Sequence, residues 1–137
     1  MSDGIGHSSG RHMTEDAFDA GTLARLRDEL EVRIETRGSG GEVHRTIIWV
    51  VVDAADRVLI RSYRGSSARW YREVLATGTA ALISGTETIP VRVEPATDPQ
   101  RVGTCSEELE RKYADDPATP AMIRDGVLAT TLELRPR

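Results

Sequence analysis

The chain has 137 residues, of which 39% are hydrophobic, and its formal net charge is −4. This length predicts one domain with one core, and the acidic balance argues against a general nucleic-acid binder. No run of about 18 apolar residues is present, so the sequence predicts neither a membrane span nor a signal peptide. Cys105 is the only cysteine, which excludes an internal disulfide and a cysteine-rich zinc site, and we expect a cytoplasmic protein.

The first twelve residues are rich in Gly, Ser and His and lack hydrophobic periodicity. The dipeptide His12–Met13 is typical of a cloning junction, so residues 1–12 are predicted to be a disordered expression tag. The native domain is expected to cover residues 13–137. His44 is then its only histidine, and we expect no metal site.

Helical and extended patterns alternate in the first half of the chain. Thr14–Leu30 predicts a helix with three leucines on one stripe, capped by Asp16 or Asp19. Glu31–Arg37 alternates between apolar and charged residues, which is typical of a half-exposed strand, and the glycine-rich residues 38–41 predict a hairpin turn.

The next segment, Glu42–Val52, contains a continuous β-branched run. This pattern predicts a central strand that is buried on both faces. Val58–Tyr63 predicts a further strand, and the serines of the turn at residues 64–67 are expected to cap a helix that ends near Thr77. Leu75 is expected to face inward from that helix, and Gly78 to cap its end.

A hairpin is predicted over Ala80–Ser84 and Thr88–Glu94, where Pro90 favours an edge or a bulge. Asp98 and the following proline predict the start of a third helix. Cys105 is expected to be a core residue of that helix, and Val127–Leu134 predicts the last strand. Short connections favour antiparallel pairing, so we expect a mainly β, α+β fold: a six-stranded antiparallel barrel with about three helices.

Five arginines are concentrated between positions 57 and 72, although the protein is acidic. Their positions are Arg57, Arg61, Arg64, Arg69 and Arg72. A glycine–serine turn and a helix start lie among them, and free N–H groups at a helix start favour anions. The segment therefore predicts a phosphate site that includes Ser62 and to which Ser66, Ser67 and an arginine add hydrogen-bond donors. A solvated basic helix face that pairs with acids such as Glu73 is the alternative.

Two tryptophans lie close to this region. Trp70 follows Arg69 directly and is predicted either to stack on a planar ring or to fill one end of the barrel. Trp49 lies in the predicted central strand, just after Arg45 and Thr46. Thr46 is predicted either to hydrogen-bond to the edge of a heterocycle or to be an ordinary strand residue.

Catalytic residues are not identified by any motif in the sequence. There is no nucleophile elbow and no Cys–His pair of recognisable spacing. If the protein is an enzyme, a bound cofactor is expected to carry the chemistry.

Two segments carry a resemblance to a known superfamily. They are EVRIETRGSGGEVHRTIIWVVVDAADRVLIRSYRGSSARWYREVLATGTAALI and TIPVRVEPATDP. In the order and spacing of their motifs they resemble the flavin-binding split β-barrel proteins. Within this superfamily are pyridoxamine-phosphate-oxidase-like proteins, deazaflavin-dependent nitroreductases and a small domain family of uncharacterised function that the chain resembles.

The resemblance implies FMN or a deazaflavin as the ligand and a homodimer with the site at the subunit interface. It implies cofactor-binding roles for eight residues, which are Arg45, Thr46, Trp49, Arg61, Ser62, Arg64, Arg69 and Trp70. With Ser66, which the glycine–serine turn predicts, nine residues are proposed as cofactor-binding. The tail TTLELRPR lacks the histidine that true pyridoxamine phosphate oxidases use to hold substrate, which argues against that specific reaction.

Three functions are therefore considered. The first is an FMN- or deazaflavin-dependent oxidoreductase that transfers hydride to or from a small organic substrate. The second is a binding protein on the same barrel without turnover. The third is a cofactor-independent enzyme that uses His44 or a carboxylate as base.

Overall fold

The computed structural model describes residues 17–137, so the predicted tag and the first residues of the predicted N-terminal helix lie outside the described part. Within this part there are five α-helices, seven strands and one 3₁₀ turn. The helices are α1 (Ala20–Asp28), α2 (Arg69–Thr77), α3 (Pro99–Lys112), α4 (Thr119–Met122) and α5 (Asp125–Leu128). The strands are β1 (Val32–Arg37), β2 (Val43–Ile48), β3 (Val51–Val52), β4 (Val58–Ile60), β5 (Thr79–Ser84), β6 (Glu87–Pro95) and β7 (Leu132–Pro136), and the 3₁₀ turn covers Gly65–Ser67.

The strands form one antiparallel sheet in the order β2-β1-β5-β6-β7-β4-β3. The strands at its two ends, β2 and β3, are separated by only two residues in the chain, so the sheet must curl back on itself. The predicted antiparallel split β-barrel with additional helices is confirmed. The strand count is seven rather than six because the run from residue 42 to residue 52 is divided at Trp49 and Val50.

The prediction that Glu42–Val52 is a central strand buried on both faces is wrong. β2 lies at one end of the sheet order, where β1 is its only strand neighbour within the described residues. Ile47 on its outer face is 56% exposed. Only its last residue, Ile48, is buried. A run of apolar residues predicts burial but does not say whether a second layer covers both faces.

The core has two parts, one on each side of the sheet. The larger part lies inside the curl and includes Ile34, Leu82 and Leu132. The smaller part lies between α3 and the outer face of β3 and β4, where Leu59 and Cys105 are fully buried. The predicted core position of Cys105 is confirmed, and burial raises the pKa of its thiol to about 11.

Several helix ends follow the sequence signals. The side chain of Asp19 accepts a hydrogen bond from Thr22 N at 2.7 Å, so α1 begins at Ala20. Asp98 accepts from Arg101 N at 3.0 Å at the start of α3, and Gly78 ends α2 with a left-handed φ of 72°. These predicted caps are confirmed.

Other local predictions are wrong. The serines at 66 and 67 do not cap α2, which begins after Ala68 without a side-chain cap, and Leu75 is exposed. The last strand was predicted to begin at Val127, but residues 127 and 128 belong to α5, and β7 begins only at Leu132. The reason is that the hydroxyls of Thr130 and Thr131 donate hydrogen bonds to the carbonyls of residues 127 and 128, which holds the chain in a turn. None of the helices within residues 17–137 is long and apolar enough to cross a membrane.

Candidate functional site

A groove with a cavity volume of about 670 Å³ opens at the end of β2. One wall is formed by residues 46–49, where β2 ends. The other wall is formed by the turn after β4 and by the first turn of α2. The residues that line the groove are Glu31, Thr46, Ile47, Ile48, Trp49, Arg61, Tyr63, Arg64, Ser67, Ala68, Arg69, Trp70, Arg72, Ala118 and Met122. Its volume lies in the range that cofactor sites occupy.

Three exposed arginines form the rim of the groove. The guanidinium groups of Arg64 and Arg72 have no hydrogen-bond or ion-pair partner among residues 17–137, although the backbone of each residue is hydrogen-bonded. The Nε of Arg69 lies 3.9 Å from a carboxylate oxygen of Glu73, one helical turn later. Glu31 is the only acid that lines the groove within the described residues. The rim therefore has an excess of positive charge and several free N–H donors.

Arg61 also lines the groove, but its side chain is only 1% exposed. Four of its N–H groups are bonded: Nε to Thr131 Oγ1, Nη1 to Ser106 Oγ and to Met122 O, and Nη2 to Val102 O. All four acceptors are neutral oxygens. Burial lowers the pKa of this guanidinium from its usual value. A buried cation without a carboxylate partner favours an anion nearby.

The aromatic side chains of the groove are held by their neighbours. Trp49 stacks on Tyr113 with ring centroids 4.0 Å apart and an interplanar angle of 3°. The hydroxyl of Tyr113 donates to Leu30 O at 2.6 Å, which fixes the lower ring of the stack. Trp70 is buried and meets Tyr71 edge-on at 6.1 Å, so it belongs to the core as well as to the groove wall.

Six of the nine residues proposed from the sequence line this groove, and three do not. Arg45 lies on the outer face of β2, where its Nε donates to Glu35 at 2.9 Å. The hydroxyl of Ser62 is buried and donates to Gly65 O at 2.6 Å. Ser66 is exposed and lies outside the groove lining. We therefore leave these three residues out of the candidate site.

The groove also contains residues that the sequence reasoning did not select. Arg72 follows Arg69 by three positions, which places both on one side of a helix, so its place at the rim was detectable. Ser67 is a further donor that the glycine–serine turn predicted, whereas Tyr63 and Met122 gave no comparable signal. Met122 comes from α4, and only the tertiary structure brings it to this place.

His44 lies outside the groove lining, and its Nδ1 is 3.0 Å from Glu73. The position of His44 outside the groove argues against its use as a base on a molecule bound there. Among residues 17–137 there is no group of three or more His, Cys, Asp or Glu side chains that could hold a metal ion.

Residues 22–134 match the model of a family described as "Uncharacterized protein conserved in bacteria (DUF2255)". The chain belongs to this family. No curated protein matches it.

Solved structures show the fold. An F420 reductase is 16% identical with a TM-score of 0.56, and the match covers 87% of this chain and 94% of that one. A putative pyridoxamine 5′-phosphate oxidase from Listeria innocua is 12% identical with a TM-score of 0.56, covering 85% and 90%. HutZ, the haem storage protein from Vibrio cholerae, is 9% identical with a TM-score of 0.58, covering 88% and 91%. The chain therefore has the split-barrel fold of these proteins.

Proposed function

We propose that the groove binds FMN or a deazaflavin and that the protein is an oxidoreductase acting on a small organic substrate. The observation that carries this proposal is the convergence of four arginines, Arg61, Arg64, Arg69 and Arg72, on one groove that also contains Trp49. A phosphorylated planar cofactor matches both features, because guanidinium groups bind phosphate and aromatic rings pack on planar ring systems.

Each part of the groove has a distinct proposed role. Arg64, Arg69 and Arg72 donate hydrogen bonds to the phosphate, and the buried charge of Arg61 adds to the positive potential. Thr46 and the backbone at the end of β2 bond to the polar edge of the ring system. Trp49, held against Tyr113, packs beside the ring and keeps water away from one side of it.

When bound, a flavin or deazaflavin would supply hydride transfer, which the side chains of this protein cannot perform alone. The protein would bind the ring, orient it and stabilise charge that develops on it. If the groove holds the cofactor but leaves no room for a substrate beside the ring, the protein would be a cofactor carrier rather than an enzyme. The proteins that share the fold include an F420 reductase and a putative pyridoxamine 5′-phosphate oxidase, and this supports the proposal of an oxidoreductase over that of a carrier.

Haem is a rival ligand because a haem storage protein shares the fold. Histidine is a common axial ligand of haem. His44 is the only histidine within residues 17–137, it is bonded to Glu73, and it does not line the groove. The arginine-rich rim and the position of His44 both favour a flavin or a deazaflavin.

The proposal is tested by titrating the purified protein with FMN and with F420 and following absorbance and fluorescence. We expect binding in the micromolar range by at least one of them. Arg64→Gln and Arg72→Gln should each weaken it about tenfold, because a hydrogen bond to a charged group contributes on the order of 1.5 kcal/mol. Arg37→Gln is the matched control, since Arg37 lies at the other end of β1 and bonds to Gly41 O.

No binding of either cofactor would overturn the proposal. A Soret band on addition of haem, with no response to FMN or F420, would favour the haem alternative. If a nicotinamide donor or a small electron acceptor does not change the redox state of the bound cofactor, the protein is a carrier and the oxidoreductase part of the proposal is wrong.

We also propose that two copies associate through the uncovered outer face of β2 and β1. Val43 and Ile47 are exposed on this face, next to the ion pair of Glu35 with Arg45. A face that carries apolar groups and charges of both signs can pair with the same face of a second copy, because a two-fold axis can place each charge opposite one of the other sign. Ile47 lines the groove as well, so the second copy would lie beside the groove.

Sedimentation or light scattering measures this association. We expect a dimer for the unchanged protein and a shift toward monomer for Ile47→Asp, since a carboxylate at this position would be buried without a partner. Leu75→Asp, at an exposed position on α2, is the control. A monomeric protein at micromolar concentration would contradict the dimer.

A further inference from the structure

One carboxylate joins three elements behind the groove. Glu73 of α2 accepts a hydrogen bond from Thr36 Oγ1 of β1 at 2.6 Å, and its Oε2 lies 3.0 Å from Nδ1 of His44 on β2. The side chain of Glu73 is only 12% exposed, and Thr36 is buried. A carboxylate with this burial needs its hydrogen bonds, because few water molecules reach it.

The direction of these bonds follows from the chemistry of the groups. An ionised carboxylate only accepts, so the hydroxyl of Thr36 donates and Nδ1 of His44 carries a hydrogen. Bonds to an ionised acceptor are stronger than neutral ones, and they strengthen further where water is excluded. Thr36 and His44 are also direct partners in the register of β1 and β2, so both donors come from one place in the sheet.

This cluster lies directly behind both walls of the groove. His44 precedes Thr46 by two residues on the same face of β2, which is about 7 Å along a strand. Glu73 follows Arg69 by four residues, which is about 6 Å along the helix axis. The Nε of Arg69 lies 3.9 Å from Glu73 Oε2, so the same carboxylate attracts a residue of the rim electrostatically without a hydrogen bond to it.

The groove wall formed by β2 depends most on the bond between His44 and Glu73. β2 lies at the end of the sheet order, and among residues 17–137 its only strand neighbour is β1, so no second strand of the described part holds its other side. The bond between His44 and Glu73 joins this strand to α2, whose first turn forms the opposite wall.

We propose that His44 and Glu73 are positioning residues that set the distance between the two walls of the groove. For its ligand this inference rests on the proposed function, but the distance between the walls is a property of the protein itself. Neither residue touches the bound molecule. They act through Thr46 on one wall and Arg69 on the other.

The distance is measured without any ligand. Spin labels are attached at Ile47→Cys and Arg72→Cys in a Cys105→Ala background, which places one label on each wall. Because Ile47 also lies on the face proposed for association of two copies, the labelled protein is mixed with an excess of unlabelled protein, so that only distances within one chain are measured. We expect a narrow distance distribution that broadens with His44→Ala or Glu73→Ala. Glu73→Gln should restore it, because the amide oxygen still accepts from Thr36 and His44. Glu35→Ala, which breaks the ion pair between the same two strands on the outer face, should leave it unchanged.

An unchanged distribution in His44→Ala and Glu73→Ala would overturn the inference. Equal broadening by Glu35→Ala would also overturn it, because the effect would then be a general loosening of the hairpin. Folding of every variant is checked by its melting temperature, and Glu73→Gln provides a variant that keeps the fold intact.

The affinity for FMN gives the second readout, measured with native Ile47 and Arg72. We expect His44→Ala and Glu73→Ala each to weaken binding about fivefold, with the double variant no worse than either single one, because both remove one interaction. Glu73→Gln should stay within about twofold. If the unchanged protein does not bind FMN, the proposed FMN site is wrong, and the spin-label distances still decide the positioning role. Additive losses in the double variant would contradict a shared role.

Discussion

At the scale of single residues, the break between β2 and β3 shows how side chains can replace the backbone hydrogen bonds of a strand. Val50 is fully buried, yet its N–H and C=O do not pair in the sheet. Its N–H donates to the hydroxyl of Tyr113 at 3.3 Å, and its C=O accepts from Lys112 Nζ at 2.7 Å. Two side chains of α3 therefore satisfy the backbone and allow the chain to leave the ladder.

Lys112, the only lysine of the chain, gives a prediction about pH. Burial lowers its pKa from 10.5 to about 8. Between these two values the unfolded chain binds more protons than the folded protein, so raising the pH stabilises the fold through this group. We expect the free energy of unfolding of the unchanged protein, minus that of Lys112→Met, to rise from pH 8 to pH 10.5 in urea titrations.

This difference between the two proteins removes the contribution of other groups. Cys105 and Tyr113 have raised pKa values of about 11 and about 12, and both titrate in either variant. A difference that is flat or falls across this pH range would show that Lys112 keeps its ordinary pKa.

At the scale of elements, local signals predicted three helix ends correctly, missed the start of α2, and did not predict which strands lie at the ends of the sheet. The caps at Asp19, Gly78 and Asp98 were found from the sequence because each depends on hydrogen bonds or φ angles within four residues. The edge position of β2 was missed, since it depends on which distant strand pairs with it. The β-propensity of the residues in β2 does not say which strand pairs with it.

Two glycines of the helices give opposite predictions for the same substitution. Gly78 has a φ of 72°, so Gly78→Ala should lower the free energy of unfolding by about 1 kcal/mol. Gly103 lies within α3 with open space around its Cα, so Gly103→Ala should raise it by up to about 1 kcal/mol. Chemical denaturation measures both, and a change of the same sign at the two positions would contradict this account.

At the scale of the whole molecule, Arg61 joins parts of the chain that are far apart in sequence. Its guanidinium bonds to α3 through Val102 O and Ser106, to α4 through Met122 O, and to Thr131 just before β7. These bonds hold the helices against the outer face of β4. The same side chain forms part of the groove, so the site and the packing of the helices depend on one residue.

Arg61→Met should therefore lower the free energy of unfolding by about 3 kcal/mol, because several buried oxygens lose their donor. Arg61→Lys should recover little of this stability, since the single ammonium group of lysine cannot reach all four acceptors that the planar guanidinium of Arg61 reaches. Arg64→Met, at the exposed rim, is the control and should change the stability by less than about 0.5 kcal/mol. Equal losses at positions 61 and 64 would contradict a structural role that is specific to Arg61.

The sequence by itself determined the fold class, the hairpins, the helix caps at Asp19, Gly78 and Asp98, and the concentration of arginines between positions 57 and 72. Each of these depends on composition, on a periodicity or on neighbours within a few residues. The tertiary structure alone decided that Arg61 is buried while Arg64 and Arg72 form the rim, and that Ser62 and Arg45 bond elsewhere. For Arg61 the physical reason is that its burial and its hydrogen bonds depend on elements more than 40 residues away, as its bonds to Val102 and Thr131 demonstrate. The partners of Ser62 and Arg45 are nearer in sequence, at Gly65 and Glu35, and the folded backbone decides which of the nearby acceptors each side chain reaches.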